Sequence, residues 1–266
     1  MPPDTSSLLG RARTRAGHLS RRLRERVRSL PVRAANRGGI PIPPPRLIYL
    51  VSGTEDAAWF LAAGRRGFDA LTSILARNGV DPGRLGSVLD FGCGVGRVVR
   101  HWAEPAARGV EVHGTDYNPA LVAWCRRHLP FARFGVNGLS AGLDYPDGAF
   151  DLVYAFSVFT HLTPAGGSAW MAELRRVLRP GGHLVVSLHG EHYLPTLAPA
   201  DRRRFADGEL VVLRGRREGS NDCAAFHPQA FVRGEFSRGW EVVDFVPEGA
   251  WGNPSQDLYL LRKPAA

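Results

Sequence analysis

The chain has 266 residues, of which 44% are hydrophobic and 22% charged, with a formal net charge of +9. This length fits one large or two small domains, and no apolar run approaches the roughly 20 residues that a membrane-spanning helix needs. The first residues lack the apolar core of a signal peptide. The three cysteines form no Cys-x-x-Cys pair, which argues against a disulfide framework or a zinc site and predicts a cytoplasmic protein.

The positive charge is concentrated at the N-terminus. Residues 1–45 contain ten arginines against Asp4 and Glu25, whereas the rest of the chain holds 24 of the 34 basic and 23 of the 25 acidic side chains. A nucleic-acid-binding enzyme usually carries a basic face on the folded domain itself. We therefore expect no nucleic-acid partner. A composition rich in Ala, Gly, Pro and Arg indicates a bacterial source.

The N-terminal segment has the pattern of a basic amphipathic helix. Apolar residues recur every three or four positions and form one stripe, with most arginines on the other face. The stripe consists of Leu8, Leu9, Ala12, Ala16, Leu19, Leu23, Val27 and Leu30. The pattern predicts a helix over 8–30 that ends near Pro31. Three interpretations are open: contact with an anionic membrane surface, docking on a partner or on the parent domain, or a partly disordered basic tail.

Three segments of different character divide the chain. Residues 1–45 hold the basic helix and a proline-rich linker from Arg37 to Pro45, whose prolines favour an extended path. Residues 46–82 read as a helical pre-domain, which Asn78-Gly79 ends. Residues 83–266 carry the pattern of the main domain.

Strand and helix patterns alternate in the main domain. The predicted strands are Ser87–Phe91, Val110–Thr115, Ala132–Val136, Phe150–Phe156, His183–Leu188, Glu241–Val246 and Asp257–Leu261. The predicted helices are Arg97–Ala106, Pro119–His128 and Pro164–Leu178, with a turn at 179–182 after the last. This alternation predicts an α/β fold: a doubly wound, seven-stranded, mostly parallel sheet with helices on both faces. A long loop joins the last two strands, which predicts an antiparallel last strand.

A glycine-rich turn after the first predicted strand is the most informative motif. Its sequence is Asp90-Phe91-Gly92-Cys93-Gly94-Val95-Gly96. Glycines let the backbone approach a ligand closely, and the helix start behind them offers free N–H groups. A dinucleotide-binding turn needs glycines at its first, third and sixth positions, whereas here they occupy the first, third and fifth. The Asp90 carboxylate suits a ligand that carries an ammonium group. The alternative is a tight turn without a ligand.

Polar side chains follow the next strands at the same predicted edge of the sheet. Asp116 ends the second strand, where a carboxylate can accept hydrogen bonds from both hydroxyls of a ribose. Tyr117 follows it and can pack on an adenine ring. Asn137 and Gly138 follow the third strand and can present an amide and a backbone N–H to the adenine edge. An ordinary helix cap at Asp116 and a simple turn at Asn137 are the alternatives.

The segments DFGCGVGR (90–97), FDLVY (150–154), SVFTHL (157–162) and LRRVLRPGG (174–182) resemble those of the Rossmann-like, or class I, S-adenosylmethionine-dependent methyltransferases. The resemblance covers most of residues 85–262 and points to the methyltransferase-domain group that acts on small molecules. It implies S-adenosylmethionine as cofactor. Its methionine part would be held by Asp90, Gly92, Cys93, Gly94 and Gly96, its ribose by Asp116, and its adenine by Tyr117, Asn137 and Gly138, with Phe156 lining the site through its backbone.

The resemblance further implies transfer of a methyl group to a small-molecule or saccharide acceptor, as in secondary-metabolite or saccharide clusters, and we expect O-methylation. A hydroxyl acceptor needs a base, and the candidates are His161, His189 and His192. Histidine spacing gives no metal site, so we expect none. The insert at 190–226 is expected to cover the substrate; a solvated charged loop is the alternative.

Two other functions remain open. A nucleic-acid methyltransferase is disfavoured because neither an Asn/Asp-Pro-Pro-Tyr/Phe motif nor a Pro-Cys pair follows the fourth strand. The other is a non-catalytic, cofactor-binding scaffold that acts through its N-terminal helix, and residues 8–30 would then set a peripheral position at the inner face of the membrane or bind a partner.

Overall fold

The computed structural model describes residues 5–36, 39–253 and 255–265. The chain divides into two compact units between Ala62 and Ala63. This boundary falls inside one helix and not at the predicted proline-rich linker. Arg37 and Gly38 of that linker lie outside the described residues. Among the described residues, no helix combines the length and the apolar character needed to cross a membrane.

The first unit is helical. It contains α1 (Thr5–Ala35), α2 (Pro45–Ser52) and the start of α3 (Ala57–Arg77). The α1 helix continues past Pro31, where the sequence predicted its end. An interior proline removes one helical hydrogen bond and crowds the preceding turn. Here the last turn is also held from outside the helix, because the Arg33 guanidinium donates to the carbonyl oxygens of Ile42 at 3.2 Å and Pro43 at 2.6 Å.

The inward face of α1 is polar. Arg22 and Arg26 donate to the carboxylate of Glu55, whose side chain is fully buried. Ser29 is 1% exposed, and its hydroxyl accepts the N–H of Ala57 at 2.9 Å. Charge-assisted hydrogen bonds therefore fasten the described part of α1 within this unit.

The outward face of α1 carries the apolar stripe. Leu19, Leu23, Val27 and Leu30 are each 58–72% exposed. The other four predicted members of the stripe, Leu8, Leu9, Ala12 and Ala16, have side chains outside the described part of the structure. The described members of the stripe are therefore not buried by packing within the first unit.

The second unit is built on a nine-stranded sheet. Its strands are β1 (Ser87–Phe91), β2 (Glu111–Asp116), β3 (Ala132–Val136), β4 (Phe150–Ala155), β5 (Leu178–His189), β6 (Val211–Leu213), β7 (Ala224–Phe226), β8 (Glu241–Val246) and β9 (Gln256–Arg262). The order is β3-β2-β1-β4-β5-β7-β6, with β9 antiparallel to β5 and β8 paired with β9. The pairs from β3 to β5 are parallel, which confirms the predicted doubly wound α/β fold with an antiparallel last strand.

Helices cover the sheet. They are α4 (Ala103–Ala107), α5 (Pro119–His128), α6 (Pro164–Val177), α7 (Pro199–Ala206) and α8 (Gln229–Phe231), together with the C-terminal part of α3. The α6 helix begins as the sequence predicts, because the Thr163 hydroxyl accepts the N–H of Gly166 and Pro164 occupies the first turn. Its apolar residues Trp170, Met171 and Leu174 are buried in the main core.

Three predicted elements differ from the structure. The helix expected at 97–106 is a 3-10 turn at Val99–Trp102 followed by the short α4, because valines and Pro105 make this segment a poor α-helix former. The turn expected at 179–182 is part of β5, paired irregularly with β4. The sheet has nine strands rather than seven, because the insert at 190–226 contributes β6 and β7, strands too short to show a period.

The Glu55 contacts give a first prediction. Replacing Glu55 with Ala removes the acceptor of both arginines, so α1 should open more often and be cleaved by trypsin about tenfold faster or more at its arginines. Glu104→Ala, which removes an exposed carboxylate paired with Arg108, is the matched control and should leave the cleavage rate unchanged. Equal cleavage of wild type and Glu55→Ala would contradict this account of how α1 is held.

Candidate active site

The glycine turn is fixed in a conformation that only glycine adopts easily. Gly92, Gly94 and Gly96 have φ angles of +76°, +55° and +76°, in the left-handed region. A Cβ atom on Gly92 would lie 2.3 Å from a methyl carbon of Val158, and one on Gly96 would lie 2.5 Å from Leu129. The turn therefore excludes side chains at Gly92 and Gly96 for steric as well as conformational reasons.

The end of β2 holds this turn in place. The N–H groups of Gly92 and Cys93 donate to the Thr115 carbonyl at 2.8 and 2.9 Å, and the N–H of Gly94 donates to Asp116 at 2.9 Å. The Cys93 side chain is buried, so this residue can contribute to a ligand site only through its backbone.

Asp116 links three parts of the site. Its second carboxylate oxygen accepts the N–H of Asn118 at 2.8 Å, just before α5, and the residue is 6% exposed. Each carboxylate oxygen has a further lone pair, so the group can hold the glycine turn and still accept a ligand hydroxyl. Burial, the largest influence, raises the pKa of Asp116.

Asp90 lies in β1, two residues before the first glycine of the turn, and its carboxyl is buried. It is 4% exposed, and burial raises its pKa to about 7. A cation placed near it would favour the ionised form and offset the cost of burial. Tyr154 and Arg97 already act in this direction on the pKa of Asp90, and a ligand ammonium group would add to their effect.

The predicted adenine side is open. Tyr117 is 45% exposed, Gly138 is also exposed, and the side-chain amide of Asn137 donates to the Gly138 carbonyl at 2.8 Å. The Asn137 side-chain oxygen is buried without a hydrogen-bond partner among the described residues, so it is free to accept from a ligand amino group. Phe156 is buried at the end of β4.

Sequence reasoning missed a polar network that begins at Ser157. This residue directly follows Phe156 and has a φ of +61°, which costs free energy for a residue other than glycine. Its N–H donates to the Ser187 hydroxyl at 2.8 Å, and its carbonyl accepts from Thr160 at 2.9 Å. The Gln256 side chain joins both serines: it accepts from Ser187 at 2.8 Å and donates to Ser157.

The network reaches the glycine turn through the C-terminal strands. Asn253 donates to Gln256 at 3.3 Å. Arg97, which directly follows Gly96, donates to Asn253 and, at 2.9 Å, to the Gly252 carbonyl. The two loops that would border a bound cofactor are therefore tied together through Gly252, Asn253 and Gln256, which lie 155 and 156 positions from Arg97 and 99 from Ser157. Only a positive φ, which cannot be read from the sequence, would have pointed to Ser157.

The three predicted bases lie in different environments. The carbonyl of Cys223 lies 2.7 Å from Nδ1 of His161. His189 packs between the rings of Tyr193 and Phe226, with centroids 4.3 and 5.3 Å away, and its Nδ1 is buried without a partner among the described residues. Burial lowers the pKa of His161 and brings that of His189 to about 4.

His192 is the most exposed of the three. Its Nδ1 lies 3.0 Å from a carboxylate oxygen of Glu248, and both side chains are about half exposed. No cluster of three or more His, Cys, Asp or Glu side chains able to hold a metal occurs within the described residues.

Comparison with known proteins decides the family. Residues 89–186 match the model of the methyltransferase domain. The chain is 39% identical over 186 residues to a probable S-adenosylmethionine-dependent methyltransferase of Mycolicibacterium smegmatis, covering 67% of this chain and 70% of that protein. The chain belongs to the S-adenosylmethionine-dependent methyltransferases. These matches confirm the predicted family and its cofactor. The sheet described above is the sheet of a class I methyltransferase.

The chain is also similar to other methyltransferases. A probable methyltransferase of Aspergillus luteorubrus is 28% identical over 160 residues, which are 56% of each chain; the chain thus spans about half the length of this relative. The crystal structure of a Burkholderia thailandensis 1,6-didemethyltoxoflavin-N1-methyltransferase, with its substrate and S-adenosylhomocysteine bound, superposes with a TM-score of 0.55 at 22% identity, covering 81% of this chain and 84% of that one. At this identity the match shows the shared fold.

The arrangement of Asp116 leads to a prediction about cofactor binding. Asp116→Asn turns one acceptor oxygen into a donor that faces backbone N–H groups, so the affinity for S-adenosylhomocysteine should fall by about tenfold or more in calorimetric titration. Asp81→Asn, at an exposed carboxylate that caps a short turn elsewhere in this unit, should bind as the wild type does. Unchanged affinity in a folded Asp116→Asn protein would remove Asp116 from the cofactor site.

Proposed function

We propose that this methyltransferase transfers a methyl group to a hydroxyl of a small-molecule or saccharide acceptor. S-adenosylmethionine supplies an electrophilic methyl group on a sulfonium centre, so the protein has to align the acceptor and remove its proton. The observation that carries the proposal is the fixed imidazole of His161 beside the loop that follows β4.

The residues present fit the cofactor. The buried carboxyl of Asp90 would be favoured by a ligand ammonium group, and Asn137 has an unpaired buried acceptor. We assign the methionine part to Asp90 and the backbone of Gly92–Gly96, with the adenine between Tyr117 and the Asn137-Gly138 loop. Asp116 would accept from the ribose hydroxyls, and Phe156 would line the site.

His161 has the properties of a general base. A carbonyl oxygen can only accept, so the contact with Cys223 places the proton on Nδ1 and leaves Nε2 as the acceptor. Because burial lowers its pKa, the imidazole stays neutral, and able to accept a proton, at pH 7. It lies in the 3-10 turn Phe159–His161, which is separated from the strained Ser157 by Val158 alone.

The other two candidates are less suited. His189 is enclosed between two aromatic rings with a buried Nδ1, and a pKa of about 4 makes it a weak base. The Glu248 carboxylate can orient His192 in the way carboxylates orient catalytic histidines, but both groups lie in solvent. We therefore assign proton removal to His161 and expect smaller effects from the other two.

The acceptor is expected to be small and uncharged or acidic. Outside residues 1–45, basic and acidic side chains are nearly balanced, which disfavours a nucleic acid. Two arginines of the insert are paired within it. Arg202 donates to the Leu197 carbonyl at 2.9 Å, and Arg204 forms salt bridges with Asp201 and Glu209. We assign this insert, which carries α7 and β6, the role of covering the acceptor.

The assignment of His161 is tested by turnover. With an acceptor found by screening phenols and saccharides for S-adenosylhomocysteine release, His161→Ala should lose about 10²–10⁴-fold in turnover with unchanged cofactor affinity. The wild-type rate should fall as the pH drops through the pKa of His161, which lies below the ordinary value of about 6.5. His192→Ala is the matched control. Turnover of His161→Ala within twofold of wild type would overturn the assignment.

We also propose that the outward face of α1 contacts an anionic membrane surface. Its exposed leucines and Val27 form an apolar ridge, and the exposed Arg24 and Arg28 make no salt bridge within the described residues. Basic residues near an anionic leaflet each contribute about 1 kcal/mol, an attraction that salt screens. The combination of an unburied ridge with unpaired positive charge supports a lipid surface over a second copy of this basic helix, which would be repelled.

Co-sedimentation with phosphatidylglycerol vesicles tests this. In the full-length protein, Arg24→Gln/Arg28→Gln should weaken binding about tenfold or more at low salt, and Leu23→Gln/Leu30→Gln should abolish the part that survives high salt. Trp251→Gln, which removes a half-exposed side chain of the second unit, is the control. If the ridge and charge variants sediment as the wild type does, α1 is not the membrane contact.

A further inference from the structure

A cavity of about 340 Å³ lies in the second unit, between α6 and the segment from His227 to Trp240. Most of its wall is apolar and is formed by Phe159, Leu162, Met171, Phe231, Phe236 and Trp240. It includes neither the glycine turn nor any of the three predicted bases. The cavity is large enough for a compact organic molecule, and its wall adjoins the turn that carries His161 without including that residue.

In this wall, the imidazole of His227 has a buried polar atom that makes no hydrogen bond within the described residues. The residue is 3% exposed, and the atom is its Nδ1. Its backbone N–H donates to the His189 carbonyl at 2.7 Å, which fixes the residue at the end of β7. An unpaired buried nitrogen reduces stability unless a bound group pairs with it.

The same wall contains a segment with an unusual backbone conformation. Residues Val232–Phe236 form a π-helical turn, a rare conformation that occurs frequently at functional sites. This turn places Phe236 5.7 Å from the His227 ring and 5.0 Å from the Phe159 ring, measured between centroids. It thereby shapes the apolar space around the unpaired imidazole nitrogen.

The rim of the cavity is positively charged. Arg175, Arg238 and Glu235 all line it and are all exposed, which gives two cations against one carboxylate. Neither arginine makes a salt bridge within the described part of the chain. An anionic group on a bound molecule would meet unpaired guanidinium groups there.

We propose that this cavity binds a small, mostly apolar molecule that carries a hydroxyl group for His227 and a carboxylate for the arginines at the rim. A hydroxyl suits the imidazole because it can donate to Nδ1 or accept from it, whichever tautomer is present. The apolar body would fill the space between α6 and the π-helical turn. The proposal does not depend on the methyl-transfer reaction.

Three probes that differ in one feature each test the proposal: 3-(4-hydroxyphenyl)propionate, 3-phenylpropionate and tyramine, titrated against the full-length protein by saturation-transfer NMR. We expect millimolar or tighter binding of the first, about three- to tenfold weaker binding of the second, which lacks the hydroxyl, and still weaker binding of the amine. Equal binding of all three, or no saturable binding of any, would overturn the proposal.

Two variants place the probe in the cavity. Ala172→Phe fills the space from an exposed wall position on α6 and should abolish binding, whereas Ala169→Phe, exposed on the same helix but outside the wall, should not. His227→Phe should remove the preference for the hydroxyl probe while keeping the binding of 3-phenylpropionate. Melting temperatures confirm folding. Wild-type binding by Ala172→Phe, or a retained hydroxyl preference in His227→Phe, would contradict the site.

Discussion

The carboxylate of Asp116 is the group on which the proposed cofactor site depends. It is buried at the end of β2 and accepts backbone N–H groups from Gly94 on one side and Asn118 on the other. A buried carboxylate is costly unless its oxygens are hydrogen-bonded. Two fixed N–H donors meet that need, and in return the glycine turn and the start of α5 are held at the same edge of the sheet.

The opposite wall of the site is held from the far end of the chain. Gln256, at the start of β9, bonds both Ser157 and Ser187, and Arg97 reaches Asn253 in the preceding loop. The antiparallel end of the sheet therefore supports the site as well as closing the fold. It holds Ser157 in a backbone conformation that the residue would not adopt alone, and this loop precedes the imidazole assigned to proton removal.

The sequence predicted features that arise from local pattern. Strand periodicity placed β1, β3 and β8 with the observed bounds. The glycine spacing located the turn, and the family resemblance of the motifs predicted the cofactor. Features set by distant contacts were not predictable: the strands β6 and β7 are only three residues long, and the Gln256 network joins segments far apart in sequence. The N-terminal helix illustrates this limit of sequence-based prediction. Its apolar stripe could be read from the sequence, but the contacts of Arg22 and Arg26 with Glu55, which hold α1, could not.

A crystal structure of the complex with S-adenosylhomocysteine tests the account most directly. The account predicts hydrogen bonds of about 2.7–3.0 Å between the Asp116 carboxylate and the ribose hydroxyls, with the homocysteine amino group near Asp90 and Nε2 of His161 facing the space beyond the sulfur. The Asp116 bonds to Gly94 and Asn118 should remain. A ribose bound elsewhere, or an Asp116 carboxylate turned away from the glycine turn, would contradict the central role given to this residue.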